Sequence, residues 1–332
     1  MKQYLLPQDG QFYKGNMHAH STLSDGNYTP EELKDIYKSH GYSVFAYTEH
    51  RTYHDLRYLD DADFITLPAY EANLERNYAS TPFPELLDGP APNGFLAETV
   101  HLNMFAIDPD KTGQEPNIDD IFDTHSLENT NELIRRAREA GFIASLNHPH
   151  WSLNTAGFYN GLEGLCALEV INGGCYRSSA LDYAPHVMRE MAWHGKRLVA
   201  IAGDDTHRPT HFYQAWTMFK APELSHKAII EALQRGDCYA STGPEIHELY
   251  VEEGVVHIKT SEAQGIFLAT AGRRKASALV PIGSEERVSE AHLPLDPSDV
   301  FFHVIVRDMY GRLAVTRPYY LDELTEPVPQ PQ

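Results

Sequence analysis

Two histidines separated by one residue, His18 and His20, open the segment of the chain that is richest in reactive side chains. Side chains alternate along a β-strand, so a His-x-His pair points two imidazoles to the same side of it. Imidazole is also the commonest metal ligand in proteins. A predicted turn at Ser24-Asp25-Gly26 adds a carboxylate just beyond the strand. The segment therefore predicts the beginning of a metal site.

Further imidazoles and carboxylates recur near the ends of later predicted strands. Together, six histidines and three acidic residues form the predicted ligand set: His18, His20, Asp25, His50, Glu71, His101, His148, Asp205 and His207. Nitrogen and oxygen donors without thiolate suit divalent Zn, Mn or Fe. Nine ligands are too many for one tetrahedral ion and predict two or three ions. Clustered divalent ions yield a hydroxide near neutral pH and hold the oxygens of an electrophile, so the chemistry indicated is hydrolysis.

Three further residues are candidates for substrate binding and catalysis. Arg208 directly follows a predicted ligand and Arg177 lies just past the sixth predicted strand, where a guanidinium could grip phosphate or carboxylate oxygens. Surface ion pairing is an equal alternative for both. His150, two residues beyond His148, is a candidate general acid or partner of a ligand, with a hydrogen-bonded loop histidine as the alternative.

Three acidic residues beside this set have supporting roles in the prediction. Glu49 and Asp204 precede ligands in the sequence and are expected to point away from the ions and to orient imidazoles. Glu169 ends a predicted strand, and a structural hydrogen bond is expected for it.

A repeated strand–helix pattern is predicted to position these residues. Thr29-Pro30 with Glu32 forms a capping box that starts a helix, which ends near His40-Gly41. Seven strands are predicted. The first carries His18 and His20, and the others are 42–47, 64–70, 100–106, 142–146, 165–170 and 198–202. Helical patterns at 126–140 and 180–194 favour a parallel sheet with right-handed crossovers. Polar residues at the carboxyl ends of the strands then predict a distorted seven-stranded β/α barrel of the TIM type.

The chain changes character near residue 245. A helical pattern at 225–235 is followed by short strand-like runs separated by Gly, Pro and Asp turns. We therefore predict a barrel over 10–245 and a small antiparallel β domain, resembling a sandwich, over 246–325. The Pro-rich and Gly-rich stretch from about 72 to 98 is predicted to be a long loop or lid beside the pocket.

Composition limits the partners that the protein could have. The 332 residues are 42% hydrophobic and 22% charged, which is typical of a globular enzyme. With 47 acidic against 27 basic residues, the formal charge of −20 disfavours a nucleic-acid polymer or an anionic membrane surface. Three cysteines without C-x-x-C spacing indicate neither a disulfide framework nor a thiolate zinc site. The absence of a signal peptide pattern and of a long apolar run predicts a cytoplasmic protein, and the oligomeric state is left open.

The ordered motifs resemble those of the PHP (polymerase and histidinol phosphatase) family of metallohydrolases, over about residues 10 to 245. The motifs are His18-Ala19-His20 with Ser24-Asp25-Gly26, Thr48-Glu49-His50, Glu71, His101, Asn147-His148-Pro149 and 203–207. The resemblance implies a seven-stranded barrel with a centre of two or three metals. It places His18, His20, Glu71 and Asp205 around one ion, Glu71, His101 and His148 around a second, and Asp25, His50 and His207 around a third. Many family members have His where this chain has Asp25.

The run Ala240-Ser241-Thr242-Gly243-Pro244 before the β domain resembles the carbaryl-hydrolase-like branch of these proteins. The leading hypothesis is a phosphoesterase that acts on a small, anionic phosphorylated compound through a metal-activated hydroxide. The alternative is a carbamate, ester or amide hydrolase on the same metal centre. A binding module without catalytic activity is the third hypothesis.

Overall fold

A computed structural model describes residues 1–75, 98–122, 124–274 and 276–328. The first strands and helices of the chain are β1 (Gln3–Tyr4), β2 (Gln11–Asn16), α1 (Pro30–Lys38), β3 (Val44–Tyr47), β4 (Ile65–Glu75), β5 (Thr99–Ala106), α2 (Leu127–Glu139), β6 (Phe142–Leu146), α3 (Ala156–Gly161), β7 (Leu165–Asn172), α4 (Gly173–Ser179), α5 (Pro185–Trp193) and β8 (Val199–Gly203). They are followed by β9 (Trp216–Ala221), α6 (His226–Arg235), β10 (Cys238–Ser241), β11 (Ile246–Glu252), β12 (Val255–Ala263), β13 (Gly265–Thr270), β14 (Ala276–Leu279), β15 (Val288–Pro294), β16 (Phe301–Arg307), β17 (Leu313–Thr316) and β18 (Tyr319–Tyr320).

The helix boundaries follow from their caps. The Thr29 side chain accepts a hydrogen bond from the Glu32 backbone and the Glu32 side chain accepts one from the Thr29 backbone, so the predicted capping box of α1 is confirmed. Ser126 and Ser225 cap α2 and α6 through a single hydrogen bond each, which their side chains accept from the Asn129 and Ala228 amides. The helical pattern predicted at 180–194 forms α5, which is shorter than predicted because it begins only at Pro185.

The fold is of the mixed α/β type, with one large mixed sheet and one small antiparallel sheet. The large sheet has the strand order β14-β13-β16-β17-β10-β9-β2-β3-β4-β5-β6-β7-β8, with β18 paired to β16. Its neighbours β2, β3 and β4 are parallel, as are β6, β7 and β8.

The prediction of an all-parallel sheet is wrong at β5. This strand runs antiparallel to both β4 and β6. The physical reason is visible where the chain leaves and re-enters the sheet, because Glu75 at the end of β4 pairs with Thr99 at the start of β5. A chain that returns beside its point of departure must run antiparallel, whereas a parallel neighbour requires a crossover to the far end.

The two ends of the run from β2 to β8 meet through a few contacts. Just past these strands, Ala19 and Thr206 form a parallel bridge, and the His20 amide donates to the Thr206 carbonyl at 2.9 Å. The side chain of Thr217 in β9 satisfies backbone groups of the neighbouring strand β8. Its hydroxyl accepts a hydrogen bond from the Ala202 amide at 2.9 Å and donates one to the Ala202 carbonyl at 3.0 Å. This seam brings residues 18–20 beside residues 204–207.

Replacing Thr217 with Val is expected to destabilise the fold by about 1 to 3 kcal/mol, because the isosteric side chain leaves the buried Ala202 amide and carbonyl without that partner. The urea midpoint of unfolding is the measurement. Thr217→Ser is the matched control, since it keeps the hydroxyl and loses one methyl group, worth about 0.8 kcal/mol. A Val variant that unfolds at the wild-type midpoint would show that the seam does not depend on this hydroxyl.

The C-terminal strands build a second core. The small sheet has the order β1-β11-β12-β15, and its inner side chains pack with those of β13 and β16 in one cluster of buried hydrophobic residues that includes Ile258, Leu268 and Val304. The predicted boundary between 10–245 and 246–325 falls between β10 and β11. Residues on both sides of it join the second core, since β1 pairs with β11 and Tyr239 belongs to the same cluster. The two-domain division stays a prediction.

The predicted lid at about 72 to 98 lies for the most part outside the described residues. Within the ranges that the structure describes, no helix is long and apolar enough to cross a membrane.

Candidate metal centre

The nine predicted ligands converge on one end of the β2–β8 run. They form four overlapping groups in the described part of the chain, and within each group one donor atom per residue lies within 4.8 Å of the others. The groups are His18, Glu71 and His148; His18, His20 and Asp205; His50, Glu71 and His101; and His20, Asp25, His50 and His207. The structure thus brings together all the residues that the sequence singled out as ligands. It places His20 beside Asp25 as well as beside Asp205.

Glu71 is the centre of the cluster. It lies within β4 rather than at a strand end, because β4 continues to Glu75, and it is 1% exposed. Its Oε1 atom is 3.2 Å from His18 Nε2, 3.1 Å from His101 Nδ1 and 3.3 Å from His148 Nε2. The second oxygen, Oε2, is 3.5 Å from His20 Nε2 and 3.1 Å from His50 Nδ1. One carboxylate therefore faces five imidazoles, as a bridging ligand between ions would.

Asp205 is the second shared carboxylate. Its Oδ1 atom is 3.4 Å from His18 Nε2 and 3.3 Å from His20 Nε2. The residue has a φ of 48°, in the left-handed region that is uncommon for residues other than Gly, Asn and Asp. His148 also has a positive φ, of 21°.

Asp25 forms the outer side of the cluster. Its Oδ1 atom is 3.3 Å from His207 Nε2 and 3.6 Å from His50 Nε2, and the side chain is 55% exposed. The turn that carries Asp25 requires Gly26, because a Cβ there would lie 2.0 Å from the His20 carbonyl oxygen. The centre therefore opens to solvent on the side of Asp25.

Hydrogen bonds fix the orientation of several imidazoles. His18 Nδ1 lies 3.0 Å from Glu169 Oε1, and His148 Nδ1 lies 3.1 Å from Ser152 Oγ. A carboxylate only accepts, so His18 Nδ1 carries a proton, and Nε2 is the ring nitrogen that faces Glu71 and Asp205. Such partners fix the tautomer of a metal-binding histidine and make it a better donor to the metal.

The structural hydrogen bond predicted for Glu169 is confirmed, but sequence reasoning missed that its partners are His18, His148 and Asn172. Glu169 Oε2 accepts from the His148 amide at 3.1 Å and from Asn172 Nδ2 at 2.9 Å, while Asn172 Nδ2 is also 3.2 Å from Asp205 Oδ2. The available signal was that Glu169 is an acidic residue in the otherwise apolar run 165–171, where an unpaired charge would be costly.

Glu49 and Asp204 point away from the cluster, but they do not orient imidazoles. Glu49 accepts from the Ser21 amide at 2.9 Å and from the Ser24 hydroxyl, so it holds the turn that leads to Asp25. Asp204 accepts from the Tyr37 hydroxyl at 2.7 Å and from the backbone amides of residues 213–215. These residues shape the loops that carry the ligands.

The chemistry of the cluster fits divalent ions. His18 Nε2, His20 Nε2 and His101 Nδ1 are buried and have no hydrogen-bond partner, and carboxylate oxygens lie 3.2, 3.5 and 3.1 Å from them. Burial lowers the pKa of His20 to about 4, which keeps the imidazole neutral and able to donate to a metal. Burial raises the pKa of Glu71, but the surrounding imidazoles outweigh this and hold it well below its usual value. Burial opposes protonation of His50 and His148 too, but the neighbouring carboxylates outweigh it and raise the pKa of His50 to about 10 and that of His148 to about 8, so these rings would release a proton on binding a metal. Imidazoles beside ionised carboxylates are the donor set of Zn, Mn or Fe in the divalent state.

The three predicted catalytic residues lie in different surroundings. The His150 ring stacks on His186, with centroids 5.2 Å apart, rather than facing the cluster. Arg177 is an exposed residue of α4. Arg208 lines a cavity of about 400 Å³ that is continuous with the cluster, together with Asp25, Asn27, Trp151, Gly174, Cys175, Ser178, Ser179, Asp205, His207 and His211. Of the three, only Arg208 therefore lines this cavity.

A larger cavity, of about 1060 Å³, lies along α2 and contains none of the nine clustered residues. Its lining includes paired surface charges such as those of Arg135 and Glu132, which are 2.6 Å apart. The smaller cavity is the better candidate for substrate binding, because it is the one that reaches the imidazoles and carboxylates.

No protein-family model matches the chain, and no curated protein matches it. Among solved structures, it is similar to a two-domain protein from Bacteroides vulgatus that contains a predicted PHP-like metal-dependent phosphoesterase, with 16% identity over 96% of this chain and 97% of that chain and a TM-score of 0.46. It is similar also to PsfC from Pseudomonas syringae (14% identity, 67% of this chain and 87% of that chain, TM-score 0.39) and to the lesion-specific endonuclease PfuEndoQ from Pyrococcus furiosus (12% identity, 68% and 56%, TM-score 0.39). Since these TM-scores are all below 0.5, the function is inferred from the side chains of this chain.

Proposed function

We propose that the protein is a metal-dependent hydrolase, and that its substrate is a small phosphorylated compound. The observation that carries the proposal is the arrangement around Glu71 and Asp205, two buried carboxylates that share six imidazoles between them. Two or three divalent ions held there would supply Lewis acidity and a hydroxide near neutral pH. The residues that would hold them are His18, His20, Asp25, His50, Glu71, His101, His148, Asp205 and His207.

The chain's own residues account for the selection of an anionic substrate. Arg208 presents a guanidinium to the cavity, and a guanidinium matches the oxygens of a phosphate in charge and shape. Arg177 and His150 do not line this cavity, so we propose for them only contacts with a part of the substrate that extends beyond it. The net charge of −20 opposes the approach of a nucleic-acid polymer and favours a small molecule.

The motif resemblance supports membership of the PHP family, and it supports reading the β2–β8 run as a distorted seven-stranded barrel with a β domain after residue 245. We propose a cytoplasmic location, supported by the three cysteines, Cys166, Cys175 and Cys238, which are all free thiols.

A second candidate function is the hydrolysis of a carbamate, ester or amide on the same centre. The resemblance of Ala240-Ser241-Thr242-Gly243-Pro244 to the carbaryl-hydrolase-like branch favours it. Within this run, the Thr242 hydroxyl lies 3.1 Å from the Tyr183 hydroxyl, and Tyr183 contacts Tyr176 of α4.

The test is turnover by protein loaded with Mn²⁺, Zn²⁺ or Fe²⁺. We expect hydrolysis of at least one compound in a panel of phosphomonoesters and phosphodiesters, and slower hydrolysis of aryl esters and N-methylcarbamates. Faster turnover of an acyl substrate than of any phosphate would favour the second candidate. Elemental analysis that finds less than one ion per chain, together with no turnover, would favour a binding module without catalytic activity.

The variant His18→Ala/His20→Ala is expected to lose both bound metal and activity, since these residues contribute to three of the four groups. His40→Ala is the matched control, because His40 is an exposed histidine that stacks on Tyr213 away from the cluster. Full metal content in the double variant would show that the pair is not part of the metal site.

A further inference from the structure

The side chain of Arg208 is held at the cavity by His211, a residue that the sequence did not single out. Arg208 Nε donates to His211 Nε2 at 3.1 Å. On its other side, His211 Nδ1 lies 3.0 Å from the backbone carbonyl oxygen of Asp205. His211 is buried, with 6% exposure, whereas the guanidinium that it contacts lies at the exposed wall of the cavity.

These two contacts determine the tautomer of His211. An arginine Nε–H can only donate, so His211 Nε2 must accept and carry no proton. The proton is then on Nδ1, from which it is donated to the Asp205 carbonyl, which is also an acceptor only. The Asp205 carbonyl reaches His211 and His207 alike, at 3.0 and 2.9 Å, because Asp205 has a left-handed backbone. His211 is therefore a neutral link between a predicted metal ligand and Arg208.

The contact with His211 leaves the other edge of the guanidinium available. In the described ranges of the chain, neither Nη atom of Arg208 forms a hydrogen bond or an ion pair. Two parallel Nη–H groups with no protein acceptor, beside a cavity that ends at Asp25 and His207, match a pair of phosphate oxygens. The Ser178 hydroxyl also lies 3.4 Å from His211 Nε2.

From this geometry we infer that His211 is a positioning residue: it orients Arg208 so that the guanidinium grips an oxyanion, such as a phosphate group of the substrate, next to the metal centre. The inference rests on the proposed function for the identity of the anion. The inference goes beyond the proposed function in two respects. It assigns the anion-binding step to the pair Arg208–His211, and it couples that pair to the backbone carbonyl of Asp205.

The test separates the two hydrogen bonds of His211. His211→Asn retains a donor near the position of Nδ1 and loses the acceptor for Arg208, whereas His211→Gln places an amide oxygen near the position of Nε2. The probe is inorganic phosphate, whose binding to the metal-loaded protein is measured by isothermal titration calorimetry. We expect His211→Asn to weaken phosphate binding roughly tenfold or more, as for a lost hydrogen bond to a charged group, and His211→Gln to restore most of it.

A double-mutant cycle tells positioning from general structural damage. In an Arg208→Ala background, His211→Asn should weaken phosphate binding no further, because the group that it orients is gone. Metal content should stay at the wild-type level in His211→Asn, and His194→Asn, an exposed histidine after α5, is the matched control. An undiminished effect of His211→Asn in the Arg208→Ala background, or unchanged phosphate binding in His211→Asn, would overturn the inference.

Kinetics then distinguish the inference from the proposed function. If a phosphate ester is turned over, His211→Asn should raise KM more than it lowers kcat. If no ester is turned over but phosphate binding depends on His211 and Arg208 as described, the inference stands and the proposed reaction is wrong. If the metal-loaded wild-type protein does not bind phosphate, the inference is wrong whatever the reaction.

Discussion

Glu71→Gln is expected to reduce hydrolytic activity by more than a hundredfold and to lower the number of bound metal ions. The carboxylate of Glu71 faces His18, His101 and His148 through one oxygen and His20 and His50 through the other. An amide has the same size but no negative charge, and only one of its two terminal atoms can bind a metal. Loss of an outer partner of a metal ligand alone costs roughly 10- to 100-fold, so loss of a shared ligand should cost more. Elemental analysis and the rate on the best substrate are the measurements.

The control for Glu71→Gln is Asp299→Asn. Asp299 is also a buried carboxylate, at 1% exposure, but it pairs with Arg274 in the C-terminal part of the chain, away from the centre. Removing this charge should lower the urea midpoint and leave the metal content unchanged. If Glu71→Gln retained its ions and its rate, Glu71 could not be a shared ligand, and the proposed centre would have to be built around Asp205 alone.

Glu169→Gln is expected to weaken metal binding by roughly 10- to 100-fold without removing any ligand. In the wild-type chain, Glu169 accepts hydrogen bonds from His18 Nδ1, from the His148 amide and from Asn172. A glutamine can place its oxygen on only one side. On the other side its amide nitrogen, which is itself a donor, faces a buried donor. Either His18 or the loop of His148 must therefore shift. Titration of the metal-free protein with Mn²⁺ or Zn²⁺ measures the change in affinity.

Glu163→Gln is the companion variant, because Glu163 is an exposed carboxylate two residues before the same strand, β7. It should bind metal like the wild type. Saturating metal should restore much of the activity of Glu169→Gln, since all nine ligands remain. A Glu169 variant with wild-type affinity would show that the contact with His18 does not influence the metal site.

Residue type and strand periodicity were enough to predict the ligand cluster. The rule that strand side chains alternate grouped His18 with His20, although β2 ends at Asn16 and both lie in the extended segment after it. Most later ligands follow strands whose ends meet, whereas Glu71 and His101 lie within β4 and β5. Capping boxes and glycine turns are also local, which explains why α1 was predicted nearly to its boundaries. Local rules could not fix the direction of β5, which depends on where the chain re-enters the sheet.

The roles of individual polar residues depend on three-dimensional neighbours. His150 follows His148 by two residues, yet the backbone at His148 has a positive φ, and the next imidazole turns to His186. His211 is an unremarkable loop histidine in the sequence, and only the fold brings it between Arg208 and the Asp205 carbonyl. Glu169 similarly reads as part of an apolar strand until His18, 151 residues earlier in the chain, is seen to donate to it.

By itself, the sequence determined which atoms are available for metal binding and that they lie at one end of a strand–helix repeat, since these follow from side-chain chemistry and local periodicity. Only the tertiary structure decided that Glu71 faces five imidazoles and that Asp25 opens to solvent. It also decided that Arg208, and not Arg177 or His150, lines the cavity. The physical reason is that a hydrogen bond or a shared ligand is a relation over 3 to 4 Å between distant parts of the chain, which periodicity does not encode.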